Sequence, residues 1–269
     1  AASGVEFLLQ TNFLDVEREG GRVTHALCAS KSGVFAVRAK SFVDCTGDGD
    51  LSVAAGAEFD KGDENGNLMP GTMCAEWCNI DWANREPNQK QFVERAIEEG
   101  VFSEPDRHIM GMAETKPGLY CGNIGHVFGL DGSDDVSLTK GLMRGRALLV
   151  EIEAFFKKYV RGHQNMSLAA SASLMGIRET RRIRGEYTLC IDDFRSMAVF
   201  DDEIGRYSYP VDIHPSTGDK EAYDRFLKEH MENYRYKNPG ENYGIPYRSL
   251  VVGGLDNVLV AGRCISSDR

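Results

Sequence analysis

Two signatures of hydrolytic and phosphoryl-transfer chemistry are missing from the 269 residues: there is no G-x-S-x-G nucleophile turn and no Walker loop. The six histidines are scattered without an HExxH or HxxxH pair, which removes the usual sequence support for a metallohydrolase. No stretch approaches the roughly 20 apolar residues that span a bilayer, and no charged segment followed by an apolar one opens the chain. Positive charge is short as well: 31 Lys and Arg against 41 Asp and Glu leave a formal net charge of −10. Nucleic acid is not expected as a partner, because its affinity rests largely on basic neutralisation of phosphates. Seven cysteines, Cys28, Cys45, Cys74, Cys78, Cys121, Cys190 and Cys264, are odd in number and scattered, which is no disulfide framework. Cys74 and Cys78 form one close pair with no second pair at zinc-ligand spacing, so they read as small buried hydrophobes, and no metal is expected.

The composition, 42% hydrophobic and 27% charged, is that of a globular chain long enough for one large domain or two smaller ones. Residues 5–46 alternate as five short strands, "VEFLLQ", "NFLDVE", "RVTHALCAS", "GVFAVRA" and "KSFVDCT", separated by the turns "EGG" and "KSG". A short helix follows at "DLSVAAGA", then a Gly, Asn and Asp rich loop. "TMCAEWCNI" and "GLYCGNIGHVFGL" read as further strands on either side of a helix near 88–99 that ends at Gly100. The longest helix starts near Ser137, with Leu148, Ile152, Phe155 and Phe156 on one face and Lys157 and Lys158 in its last turns. Helices are also expected over 167–183 and 219–236. "NVLVAG" near the end is a strand of the kind buried on both faces in a parallel sheet, and it echoes "SFVDCTG". Two such strands from distant parts of the chain are expected to share one sheet, with their glycines at the carboxyl ends where open α/β sheets bind ligands. Residues 1–59 and 246–269 would form one domain, and 60–245 an inserted second one.

Three features carry candidate chemistry. Gly47-Asp48-Gly49-Asp50-Leu51-Ser52 is almost a G-x-G-x-x-G loop, but Ser stands at its third position. Asp48 and Asp50 also place negative charge where a pyrophosphate would want the helix N-terminus, so a ribose or ribityl edge suits the turn better, unless an aspartate merely caps the helix. Arg178, Arg181 and Arg182 would share one helix face, as a clamp for a carboxylate or an anionic ring, or as a solvated helix end paired with Glu179 and Glu186. His214 lies in the Pro-bounded loop "YPVDIHPST" with Asp212 placed to orient it as an acid or base, whereas His126, on a strand, reads as structural.

"FVDCTGDGDLSVAAGAEF" resembles the second FAD motif of a large family of bacterial FAD-dependent oxidoreductases, and "LMGIRETRRIRGEYTL", "YPVDIHP" and "YGIPYRSLVVGGLDNVLVAGRCISSD" resemble further blocks of it in the same order. These proteins are similar to the glutathione-reductase-like and fumarate-reductase-like flavoproteins. The resemblance implies a mixed α/β fold, part of a glutathione-reductase-like FAD-binding domain with an inserted β/α substrate domain. It implies FAD near Cys45, Thr46, Gly47, Asp48 and Gly49 and near Gly262, Arg263 and Asp268. Arg178, Arg182 and His214 would face the flavin, moving a hydride or an electron pair from a small polar substrate. The family's first motif, G-x-G-x-x-G, is missing, and Cys45 replaces its usual Ala. The chain starts at Ala1 and stops just after a strand, so it is expected to be a fragment with weak or no FAD binding of its own. A cofactor-free binding module with vestigial flavin turns is the alternative. A soluble chain is expected, in the cytoplasm or another compartment, with a homo-oligomer left open.

Overall fold

The alternating run that opens the chain pairs into an antiparallel sheet of β1 (Asn12–Glu19), β2 (Arg22–Ser30) and β3 (Gly33–Arg38) in the computed structural model, which describes residues 3–269. Its central strand turns Val23 and Ala26 into the core, three residues apart because the pairing with β1 shifts register at Thr24 and so breaks the strict two-residue alternation. Residues 5–10 form no strand, contrary to the alternation, because none of the described strands pairs with them. An alternating pattern becomes a strand only where a partner accepts its backbone bonds.

The next strand, β4 (Phe42–Asp44), pairs in parallel with β13 (Val258–Val260), so that Asp44 lies opposite Val260. A buried Asn257 locks this arrangement: its Oδ1 accepts from the Val23 N–H at 2.9 Å, and its Nδ2 donates to the Val23 and Lys40 carbonyls at 2.8 and 3.1 Å. Around this pair gathers the first of two units, Ala1–Lys61, Arg181–Tyr209 and Tyr236–Arg269. It also holds α1 (Asp50–Ala54), β5 (Phe59–Lys61) antiparallel to β10 (Arg181–Ile183), α4 (Ile191–Ser196), and β11 (Glu203–Tyr207) antiparallel to β12 (Tyr243–Pro246). Its core includes Val23, Phe42, Leu51, Ile183, Val258, Val260 and Cys264.

The second unit, Gly62–Thr180 with Pro210–Arg235, has its own core. A four-stranded antiparallel sheet in the order β7 (Ala113–Lys116), β8 (Leu119–Gly122), β6 (Ala75–Cys78), β9 (Ser167–Ser171) accompanies α2 (Val93–Glu98), α3 (Asp135–Tyr159) and α5 (Lys220–Glu232). Asp134 caps α3, accepting from the Ser137 N–H at 2.7 Å, and Lys157 and Lys158 complement the dipole at its other end. The stripe Leu148, Leu149, Ile152, Phe155 and Phe156 is buried against Trp77, Phe102 and Met166. Asp219 caps α5 in the same way through the Ala222 N–H at 2.8 Å.

The helix expected over 167–183 does not form. Its first residues extend as β9 along the β6 edge, Gly176 bridges Thr72 through two backbone bonds of 3.0 and 2.9 Å, and its last residues extend as β10. Ala favours helix, but propensity differences amount to less than about 0.7 kcal/mol per residue, and two waiting strand edges outweigh that preference.

Candidate functional site

In the first unit the chain leaves β4 through a turn held by one carboxylate. Asp44 is 1% exposed. Its Oδ1 accepts from the Thr46 N–H and hydroxyl at 3.1 and 2.8 Å, and its Oδ2 accepts from the Ser52 N–H and hydroxyl, both at 2.8 Å. Thr46 Oγ1 in turn accepts from the Asp50 N–H at 2.9 Å. The first turn of α1 is thus tied back to the strand it came from. Gly49 precedes α1 at φ +70°, where a Cβ would stand 2.6 Å from Ile183 Cδ1, so only glycine meets both the conformation and the space.

The second turn, after β13, comes to the same place. Arg263 Nη2 donates to Asp48 Oδ1 at 2.7 Å, and its guanidinium lies where a Gly47 Cβ would be. Arg181 Nη1 donates to Asp50 Oδ1 at 2.8 Å and to the Asp48 carbonyl at 3.3 Å. Each of the two aspartates therefore has a guanidinium beside it, which offsets the repulsion that an anionic ligand would otherwise meet here. Gly262 has φ +95°, and a Cβ there would meet no atom within 4 Å, so its backbone faces open space. Arg182 Nε donates to the Ser267 carbonyl at 3.2 Å. The Asp268 carboxyl is pushed up by burial, against the Ile191 N–H that donates to its Oδ2 at 3.0 Å. Cys45 and Thr46 are exposed at the rim. Glycine backbone, hydroxyls and paired carboxylates at the carboxyl ends of two parallel strands fit the ribose and ribityl edges of a dinucleotide.

The single arginine face expected on a helix does not exist. Arg181 and Arg182 are neighbours on the strand β10, so they point to opposite sides of it. Arg178 belongs to the second unit, where its Nη1 donates to the Pro70 carbonyl at 2.7 Å and to Thr72 Oγ1 at 2.9 Å. Burial lowers its pKa, against the charges of Asp212 and Asp106.

The second unit also gathers three histidines. His126 Nε2 lies 2.9 Å from His214 Nδ1, and one ring nitrogen from each of His108, His126 and His214 falls within 4.8 Å of the others. Two carboxylates stand behind them. Asp106 Oδ1 lies 3.2 Å from His126 Nδ1, and Asp212 Oδ1 lies 3.3 Å from His214 Nε2. Asp106 is fixed in turn by the backbone N–H groups of His108 and His126, at 2.9 and 2.7 Å. The rings are packed by aromatics: His108 stacks on His126 at 4.5 Å, and Phe226 of α5 stacks on His214 at 5.1 Å.

These contacts set the charges. Burial, reinforced by the neighbouring His126 and His214, pushes His108 down to about 3. Burial also lowers His126, against the pull of Asp106. Burial works against the Asp106 carboxylate, yet His126 and the backbone bonds hold it below the usual carboxylate range. The His214 hydrogen bond holds Asp212 low, against its own burial. His126 lies beside the isolated bridge Gly71–Val127 rather than inside a strand. His108, His126 and Asp106 had no sequence signal as a set, because 18 and 88 residues separate the three histidines in turn and no motif has that spacing. Asp44 had one: a hydroxyl residue two positions on and another eight positions on, across the turn.

Three comparisons with known proteins bear on these sites. A family model described as FAD dependent oxidoreductase matches residues 1–269. No curated protein matches the chain. Among solved structures, p-nitrophenol 4-monooxygenase PnpA from Pseudomonas putida DLL-E4 is similar over 66% of this chain and 38% of its own, at 13% identity and a TM-score of 0.36. The chain therefore spans well under half the length of that protein. Among the described residues no helix is long and apolar enough to cross a membrane.

Proposed function

The chain belongs to the FAD dependent oxidoreductase family, whose cofactor is FAD, and from that premise we propose that the protein carrying it moves a hydride or an electron pair between a small polar substrate and the flavin. The observation that supports this reading most is the meeting of two glycine turns at the carboxyl ends of the parallel strands β4 and β13, closed by the Arg263–Asp48 pair. In this proposal Cys45, Thr46, Gly47, Asp48 and Gly49 line one side of the cofactor edge, and Gly262, Arg263 and Asp268 the other. Bound FAD supplies the two-electron acceptor, and the residues supply position and charge. Asp48 and Asp50 keep their oxygens turned toward Arg263 and Arg181, so sugar hydroxyls can be received without an unpaired anion at the turn.

The segments 62–180 and 210–235 form the substrate unit in this reading. Arg178 and His214 are its polar groups for receiving a small polar substrate, and Arg182, on β10, stands on the cofactor side. Arg178 suits a substrate carboxylate, since its partly buried guanidinium spends Nη1 on the Pro70 carbonyl and Thr72 Oγ1 and a guanidinium carries further N–H donors.

The test uses the full natural polypeptide that contains this chain. Purified, it is expected to be yellow and to release FAD on heating, and Arg263→Ala is expected to lower FAD retention while circular dichroism is unchanged. A colourless polypeptide that takes up no added FAD would refute the reading.

A further inference from the structure

We propose that His108, His126 and His214 form a binding site for a divalent first-row transition metal, of which zinc is the representative. The proposal rests on the second unit alone; it shares His214 with the flavin reading, but metal uptake is tested without FAD.

Proton accounting carries the argument. His126 Nδ1 faces Asp106 and His214 Nε2 faces Asp212, both carboxylates that accept and do not donate. Each ring therefore places its proton on the outward nitrogen. The inward pair, His126 Nε2 and His214 Nδ1, then consists of two bare lone pairs 2.9 Å apart. A proton between them requires one ring to carry two. A metal ion in place of that proton lets both rings stay neutral, each keeping one N–H donated to its carboxylate, the arrangement that orients histidine ligands in zinc sites. Zinc–nitrogen bonds of about 2.0–2.1 Å place the ligand nitrogens of a tetrahedral site about 3.3–3.4 Å apart, so the inward pair at 2.9 Å needs to open by only about 0.4 Å.

The third ligand is His108. Its Nδ1 is a buried nitrogen with no hydrogen-bond partner, a cost that a buried polar atom normally avoids. The widest separation among the three ring nitrogens, 4.8 Å, must close by about 1.5 Å for a tetrahedral site. His108 is partly buried and stacked on His126, so closing the site means turning its ring out of that stack. Charge agrees. Asp106 and Asp212 outweigh Arg178, the guanidinium that also acts on these rings, and a divalent cation reverses the imbalance. Three imidazoles and no thiolate suit zinc, cobalt, nickel or copper over magnesium or calcium, and three protein ligands leave a position for water or a substrate oxygen.

Cobalt(II) is the probe, added to the chain after chelator dialysis. One equivalent is expected to bind with visible ligand-field bands and to be displaced by zinc. His126→Ala and His214→Ala are each expected to weaken binding at least about 100-fold, Asp106→Asn about 10- to 100-fold, and His25→Gln not at all. Should the histidine variants fail to fold, X-ray absorption on the zinc-loaded natural chain decides: a first shell with three imidazole rings supports the site. No saturable cobalt uptake, uptake unchanged in the folded His126→Ala/His214→Ala double variant, or a zinc shell without imidazole would overturn it.

Discussion

Replacing Asp44 by alanine tests how the turn after β4 is held. The substitution removes the acceptor of four hydrogen bonds, two from Thr46 and two from Ser52. The two groups differ in environment. Thr46 is exposed and its donors turn to water, whereas Ser52 is 0% exposed and its N–H and hydroxyl are left without a partner. An orphaned buried donor costs about 1–3 kcal/mol. The hydroxyl can rotate and the N–H cannot, and removing the carboxylate also relieves its own desolvation, so the net loss is about 3 kcal/mol. Asp44→Asn should cost less, about 1–2 kcal/mol, because the amide oxygen can keep accepting from buried Ser52, while its NH2 faces exposed Thr46, whose hydroxyl can turn to accept and whose N–H can turn to water. Urea unfolding measures both, and hydrogen exchange at the Ser52 amide localises the effect. The Asp44→Ala/Ser52→Ala pair should be non-additive by at least about 0.5 kcal/mol, as residues in one network are. A loss under about 1 kcal/mol for alanine, or equal losses for alanine and asparagine, would refute this account of the turn.

Gly49→Ala combines φ +70° with a Cβ 2.6 Å from Ile183 Cδ1. It should destabilise the first unit by about 2–4 kcal/mol in the same urea assay, and the Gly49→Ala/Ile183→Ala pair should lose less than the sum of the two single losses, by the steric part. His163 is buried near Arg85, and burial holds its pKa below the ordinary value despite the Arg161 and Val160 carbonyls. Its folded pKa is depressed, so the unfolded chain binds the extra proton first. Its contribution is complete above about pH 6.5 and is lost below it, at up to about 1.4 kcal/mol per pH unit. Unfolding of the natural chain and of His163→Gln between pH 7 and 5 checks this, since the variant should lack that part of the slope. Trp77 is fully buried in the second core, and Trp77→Ala should cost about 3–5 kcal/mol in thermal or urea unfolding.

Local pattern was enough for much of the chain. The alternation of 12–38 and the apolar stripe of α3 are short-range signals, and each acts through neighbours close in sequence. The run "FVDCTGDGD" could be read as a ligand turn for the same reason, since strand, glycines and helix are contiguous. What the sequence by itself determined is therefore the set of elements whose bonds close locally, together with the family to which their order belongs. Tertiary structure decided the rest. The two ends of the segment 167–183 became strands because β6 and β5 offered edges from about 90 and 120 residues away, and helix propensity, under about 0.7 kcal/mol per residue, is too small to resist that. The arginines were separated when that segment extended. The three histidines met because loops at 108, 126 and 214 fold over one core, and burial then lowered the pKa values of His108 and His126. Low dielectric and close approach exist only once the chain is packed, so no spacing rule in the sequence carries them.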